Sequence, residues 1–253
     1  MVNVTAVSRS YQQPYGGFLK PKDFKKEVFD DGKKLNEEEN IAPGLVGLAV
    51  EYLTKLEYGY KAKDIFSISL RGAFFAGHEK NAQELLYRIK KGLDSVSIAT
   101  ACELVSFDTI LRAGIHTYRP VSHKDINEQT IENVRLLVQR AIKFFNDNGP
   151  IINTGTTFEG GYSQKINSGD CDLLTEDGLW DMKVSKQQIN SKQTLQLLIY
   201  YVMGLHSIHK EQFTSLTRLG IFNPRNNTAR YVHVNEITQD LINTIEKDVI
   251  EYN

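Results

Sequence analysis

Five acids and one lysine fall within the fifteen residues GDCDLLTEDGLWDMK, 169–183, interleaved with Leu173, Leu174, Leu179, Trp180 and Met182. The apolar residues ask for burial and the acids for water, so the stretch must sort them onto different sides. Asp177-Gly178 is a hairpin turn signal. A two-residue turn there sets Asp172 opposite Lys183, Leu174 opposite Asp181 and Asp170 opposite Ser185. Side chains alternate along a strand. Asp170, Asp172, Asp181, Lys183 and Ser185 therefore share one face, and Cys171, Leu173, Trp180, Met182 and Val184 the other. Asp172 and Asp181 become diagonal neighbours within reach of one ion.

Carboxylates at such quarters repel one another and resist desolvation. A hard cation resolves this. Mg²⁺ takes carboxylate oxygens at about 2.1 Å and keeps several waters. An ion so held activates water and neutralises charge on a phosphodiester. The lysine orients or deprotonates the attacking water, or stabilises the pentavalent charge; the sequence does not choose among these. The plain alternative is a solvated hairpin face with an Asp172–Lys183 surface ion pair worth ~0–1 kcal/mol.

The elements that must position this cluster follow from length and pattern. With 253 residues, 41% of them hydrophobic and 24% charged, the chain suits one large domain or two small ones. Its formal net charge of -1 excludes a generally basic nucleic-acid coat, so phosphate contacts must come from local patches. Two cysteines, Cys102 and Cys171, make no disulfide framework and fit a reducing cytoplasm. MVNVTAVSRSYQQPYGG carries no signal-peptide-like apolar run, and no window approaches the ~18 apolar residues of a membrane span.

The character of the chain changes at Gly149-Pro150. Before it, apolar periodicity predicts helices over 40–57 (capped by Asn40, with Pro43 in its first turn), 63–76, 81–91, 95–113 (closed by Gly114) and 127–146. After it, strands are predicted over 158–166, 169–175, 179–185, 216–222 and 229–234, with helices over 191–205 and 236–251. The expectation is an α/β fold: residues 1–150 a mainly helical region packed on the core as one unit, and residues 151–253 a mixed sheet core flanked by helices.

The second half resembles the PD-(D/E)XK nuclease superfamily, with its restriction-endonuclease-like fold, and most of all the RecB-type branch. The matching residues are Gly169-Asp170-Cys171-Asp172, Asp181-Met182-Lys183, and Gln196-Leu197-Leu198-Ile199-Tyr200 on the following helix. A strand carrying Glu159 and the later LGIFNPRNNTARYVHV hairpin fit the family's core order. The match spans about 157–235. No proline precedes the first aspartate, and Asp181 stands where glutamate is frequent.

The resemblance implies a Mg²⁺-dependent deoxyribonuclease, with Mn²⁺ substituting. It makes Asp172 and Asp181 metal ligands, Lys183 the catalytic lysine, and Gln196 and Tyr200 residues lining the site. Asp170 and Glu159 are further candidate ligands. A first-helix acid expected in such enzymes falls to Glu39 or Glu51. Lys186, Gln193, Arg225 and Arg230 are candidate contacts to DNA. A role in phage defence, recombination or repair, cytoplasmic and with or without a homo-oligomer or partner protein, is expected from the family alone. The alternative is a non-catalytic nucleic-acid-binding or assembly subunit on the same fold.

On the helix over 191–205, Leu195, Leu198, Ile199, Val202 and Leu205 form one stripe and Gln193, Gln196 and Tyr200 another. The second stripe is expected to face a substrate groove. Other constellations are weaker. His206 and His209 lack a third ligand nearby, His78-Glu79 lacks the second histidine of a zincin motif, and no P-loop exists. Cys171 falls on the apolar face and reads as core.

Overall fold

The computed structural model describes residues 2–252. A short first helix, α1 (Val4–Ser10), begins where the Asn3 side chain accepts the Ala6 N–H at 2.7 Å, a helix N-cap. Strand β1 (Lys25–Val28) follows. Then come α2 (Pro43–Glu57), α3 (Ala62–Ile65), α4 (Ser67–Phe75), α5 (Glu79–Arg88), α6 (Ser95–Leu104), α7 (Asp108–Ala113) and α8 (Glu128–Asp147). The second half supplies β2 (Ile151–Thr157), β3 (Asp170–Thr175), β4 (Gly178–Met182), α9 (Ser191–His206), α10 (Lys210–Thr214), β5 (Arg218–Asn223), β6 (Thr228–His233) and α11 (Gln239–Thr244). A π-helical turn over Ile245–Ile250 continues α11.

The strands make one six-stranded sheet in the order β1-β6-β5-β4-β3-β2. β2, β3 and β4 form an antiparallel meander, and β5 lies parallel to β4. Antiparallel neighbours need only a turn between them, whereas the parallel pair needs a crossover, which α9 supplies. β6 and β1 extend the sheet antiparallel on the far side of β5. The chain is thus an α/β protein with a mixed sheet. Among the described residues, no helix is long and apolar enough to cross a membrane.

Two compact units emerge. One comprises the residues up to Phe29 and those from Phe145 on, and the other is Asp30–Phe144. The sequence boundary at Gly149-Pro150 is amended accordingly, because the first 29 residues join the sheet unit. There α1 packs on α9 and β1 pairs with β6. Both elements are too short to show a period.

In the sheet unit, one sheet face holds Leu174, Leu179, Leu219, Ile221 and Val232 against α9. The opposite face holds Trp180, 1% exposed. Its ring lies over Gly220, its partner on β5, and against Gly178, and a Cβ at either glycine would collide with it. The Arg218 guanidinium stands 5.5 Å from the Trp180 ring and 5.8 Å from that of Tyr231.

In the helical unit, the buried Asp108 ties three helices together. It accepts from Tyr52 of α2 at 2.6 Å, from the Ser69 hydroxyl of α4, and from Arg112 Nε of α7 at 3.3 Å. A strap before α2 is held on α8 by Arg140, which grips both oxygens of Asp31 at 2.7 and 2.9 Å.

Several predicted elements differ in extent. Asn40 does not cap α2, which starts at Pro43 after Ala42. Its carboxamide oxygen accepts the Asn127 N–H at 3.1 Å instead, beside the start of α8. The helix predicted over 63–76 breaks at Phe66. The one over 95–113 passes through a 3-10 turn at Val105–Phe107 before closing at Gly114. Residues 158–166 are not a strand, and the true one, β2, lies just before them.

Two outcomes are expected. Gly220→Ala inserts a methyl group under the Trp180 ring, and overpacking of this kind costs ~1–3 kcal/mol, or roughly 2–12 °C in Tm for a chain of this size. An unchanged Tm would show that the ring does not need the glycine. Arg140 holds the Asp31 carboxyl down to about 2 from 3.8. A depressed carboxyl pKa contributes stability above its unfolded value that is lost as pH falls through the folded one. Asp31→Asn should therefore lower Tm near neutrality and flatten the Tm profile between about pH 4 and 2. A profile parallel to wild type across that window would remove the pair from the stability of the unit.

Candidate active site

The hairpin turn lies one step earlier than the dipeptide signal indicates. Leu174 pairs with Leu179 and Leu173 with Trp180, so Glu176 and Asp177 make the turn and Gly178 begins β4. Asp177 is held there from outside the hairpin. Arg218 Nε and Nη2 reach its carboxylate at 3.1 Å each, and the Thr217 N–H reaches its carbonyl at 2.8 Å. Gly178 is used under the Trp180 ring rather than in the turn. The same register continued sets Asp172 level with Asp181, and Lys183 level with Asp170. The expected direct opposition of Asp172 and Lys183 is thus corrected to a diagonal. Because the register shift is of two residues, Leu174, Leu179 and Trp180 keep their expected faces, whereas Cys171, expected beside Trp180, packs in the core on the α9 side.

Asp181 pairs along β4–β5 with Ile221, on the face that α9 covers. It is only 1% exposed. Its Oδ1 accepts from Lys183 Nζ at 2.8 Å. Its Oδ2 is buried and has no hydrogen-bond partner. Lys183 continues the strand, its N–H reaching the Phe222 carbonyl at 2.9 Å, and so lies two residues along the same face as Asp181. Asp172 is half-buried, and its Oδ2 accepts the Met182 N–H at 3.2 Å. The side chain thereby reaches across to the strand that carries Asp181.

From above, α9 brings Gln196 and Tyr200. Gln196 Nε2 donates to the Tyr200 hydroxyl at 2.8 Å and to Thr5 Oγ1 of α1 at 3.1 Å. Burial, then the charges of Asp172, Asp181 and Asp170, push the Tyr200 phenol well above its ordinary value. Asp172 and Asp181 thus share an electrostatic neighbourhood with the phenol, and Asp170 contributes from its exposed edge. The stripe of α9 expected to face a substrate groove does not face open solvent: all residues from Thr194 to Gly204 are buried. A helix between a sheet and other helices has no solvent side, and its polar residues must pair internally.

The remaining candidates separate from this cluster. Asp170 is exposed at the start of β3. Glu159 is exposed beyond the end of β2, takes a hydrogen bond from Thr157 Oγ1 at 2.6 Å and feels the charge of His209. Gln193 is occupied in a capping box, its Oε1 accepting the Asn190 N–H at 3.0 Å. Arg230 Nη2 meets Gln188 Oε1 at 3.2 Å. Arg225 is half-buried in the β5–β6 turn, and Lys186 is exposed. Glu39 and Glu51 belong to the helical unit, where Glu39 accepts from Asn133 at 2.9 Å and Glu51 from Lys55 at 2.7 Å. The first helix of the sheet unit is α1, whose sequence VTAVSRS has no acid. It offers Thr5 instead, which no sequence signal marks. Cys171 is buried, and burial pushes its thiol up, which fits a core side chain rather than a nucleophile.

Among the described residues, no three His, Cys, Asp or Glu side chains converge to hold a metal ion. Asp181 and Asp172 are two carboxylates on adjacent strands, and Asp181 has an unpartnered buried oxygen. That donor set suits a hard cation that is held by one or two carboxylates and completes its shell with water. No protein-family model, no curated protein and no solved structure matches the chain.

Proposed function

We propose that the chain is a Mg²⁺-dependent nuclease with a restriction-endonuclease-like core, hydrolysing DNA phosphodiesters at Asp172, Asp181 and Lys183. The observation that carries this reading is the buried Oδ2 of Asp181, which has no partner. An ionised oxygen removed from water without a donor is costly, and a cation at that position satisfies it. The run of α1, three antiparallel strands, α9 and a strand parallel to the third supports the core order of the resemblance. Two free, buried cysteines support a cytoplasmic setting.

Asp181 and Asp172 would hold the ion. When bound, it supplies an activated water and neutralises charge on the phosphate. Lys183 does the rest of the positioning. Its ammonium neutralises one oxygen of Asp181, and with 28% of its side chain exposed it is open to an incoming phosphate. Tyr200 keeps its proton through neutral pH because burial and three acids disfavour the phenolate. Gln196 fixes the ring's hydroxyl, so the carboxylates face a neutral wall.

The Lys183–Asp181 contact also favours a second reading, in which the ammonium alone balances the aspartate and the fold binds nucleic acid without cleaving it. Calorimetry separates the two readings. Mg²⁺ or Mn²⁺ binding that Asp181→Asn abolishes belongs to the first, and no binding at millimolar metal to the second. A metal at 100 times its Kd adds about 2.7 kcal/mol to stability, so Tm is a second readout.

Cleavage of linear, circular and single-stranded DNA with Mg²⁺, Mn²⁺ or EDTA tests the activity. Asp181→Asn and Lys183→Ala should each lower the rate ~100-fold or more, since such groups are worth several kcal/mol at the transition state. Their effects on stability should differ. Lys183→Ala strands a buried carboxylate, a loss of ~2–3 kcal/mol or roughly 5–10 °C. Asp181→Asn without metal removes a carboxylate that repels its neighbours and should leave Tm equal or higher. Adding Asp181→Asn to Lys183→Ala should restore Tm but not activity. Wild-type cleavage by Lys183→Ala would show that this hairpin is not the active site.

A further inference from the structure

Three elements of the sheet unit meet at Thr5. Its backbone neighbourhood is fixed by the segment that leads into β3. The Val4 N–H reaches the Ser168 carbonyl at 3.2 Å, and Gly169 takes φ +148°, where a Cβ would collide with the Val4 side chain. Asp170 and Asp172 follow directly on β3. The Thr5 side chain, half-buried, is fixed by α9, because Gln196 Nε2 donates to Thr5 Oγ1 at 3.1 Å. The start of α1 is thus tied both to the strand that carries Asp172 and to the helix that covers Asp181.

Donor counting sets the direction of the protons here. A primary amide has two N–H groups. Gln196 spends one on Thr5 and the other on the Tyr200 hydroxyl at 2.8 Å. A hydroxyl that accepts an N–H keeps its own proton for a second partner. Tyr200 is 4% exposed, so that partner lies inside the protein or its site. Besides burial, what bears on the phenol is the charge of Asp172, Asp181 and Asp170, and a negative field draws an O–H proton toward it. Tyr200 is thereby a neutral donor aimed at the carboxylates.

The sense of the Gln196 amide decides this. Turned over, its oxygen would take the Tyr200 proton, and the acids would lose their donor. Gln196 is 8% exposed. With no acceptor at Thr5 its second N–H would be stranded, and a buried donor without a partner is costly. Rotation of the amide relieves that cost and breaks the donation to Tyr200.

We propose that Thr5 is a positioning residue of the candidate site: its hydroxyl oxygen holds the Gln196 amide so that Gln196 donates to Tyr200 and Tyr200 aims its proton at Asp172 and Asp181. The catalytic consequence rests on the nuclease reading, in which that proton meets an oxygen of the phosphate; the hydrogen-bond chain itself does not.

Carbon-13 NMR of protein labelled at tyrosine Cζ reads the state of each phenol without any need for activity. The Tyr200 resonance is identified by its loss in Tyr200→Phe. Thr5→Val keeps the size of the side chain and removes the hydroxyl. It should shift the Tyr200 resonance while the other tyrosines stay in place, and Thr5→Ser should return it to its wild-type position. Thr5→Ala removes the same hydroxyl and should give the same shift, which keeps the test open should Thr5→Val fail to fold. In cleavage assays Thr5→Val should lower kcat ~5–10-fold, the scale of one neutral hydrogen bond, with KM near that of wild type, and Thr5→Ser should recover it. In a Tyr200→Phe background Thr5→Val should cost nothing further, since effects within one hydrogen-bond network do not add.

An unmoved Tyr200 resonance in Thr5→Val and Thr5→Ala overturns the proposal, as does a shift that Thr5→Ser fails to reverse. Additive losses in the double variant overturn it too, because they assign Thr5 to the packing of α1. Wild-type protein that cleaves no DNA overturns the nuclease reading alone, and the resonance then decides the role of Thr5.

Discussion

Everything at the candidate site follows from one buried carboxylate. Asp181 sits on a central strand, with α9 over it, Ile221 beside it on β5 and a single ammonium on one of its oxygens. A position so enclosed is normally apolar, since an ionised group there loses water that few contacts replace. The protein keeps the acid and supports it from several directions. Lys183 arrives two residues later on the same face. Asp172 reaches across from β3. Gln196 and Tyr200 turn their polar groups toward each other on a helix that is otherwise core. Oδ2 of Asp181 is left over, and that surplus is what gives the cluster a chemical rather than a structural reading.

The facing of Asp181 is enforced from the other side of the sheet. Trp180 is the neighbouring residue and must point the opposite way. It does so because two glycines, Gly178 on its own strand and Gly220 on the next, vacate the space its ring fills. Rotating the strand to free Asp181 would drive an indole into the helix layer. The anchor is reinforced by Arg218, which lies near the ring and clamps the turn through Asp177. The catalytic proposal thus leans on packing remote from any polar group.

This division explains what the sequence could and could not tell. The faces of Asp172, Asp181, Lys183 and Trp180 were legible because alternation depends only on parity. The turn was misplaced by one residue and the pairing register by two, so parity survived; a register error of one would have inverted every side chain. The misplacement had a tertiary cause, since Asp177-Gly178 reads as a turn until Arg218 and Trp180 claim the two residues. α1, β1 and β2 were hidden for a local reason. They are short, and β2, IINTGTT, carries Gly155 at φ +61° and an irregular register between Ile151 and Asn153. The Asn190–Gln193 capping box was readable from its spacing, and Gln193 was instead taken for a DNA contact. Nothing in the sequence marked Thr5, because its role depends on a helix 191 residues away.

Charge distribution links the site to the rest of the chain. On the proposed nuclease reading, a cluster of acids repels the phosphodiester it would hydrolyse, and in water each unbalanced charge is felt over about 8–10 Å at ordinary salt. Lys183 pairs with Asp181. Of the basic residues around the hairpin, Arg218 is committed to Asp177 and Arg230 meets Gln188. A metal ion would correct the balance at the chemical step, but holding the substrate is a separate requirement that a net charge of -1 does not meet by itself.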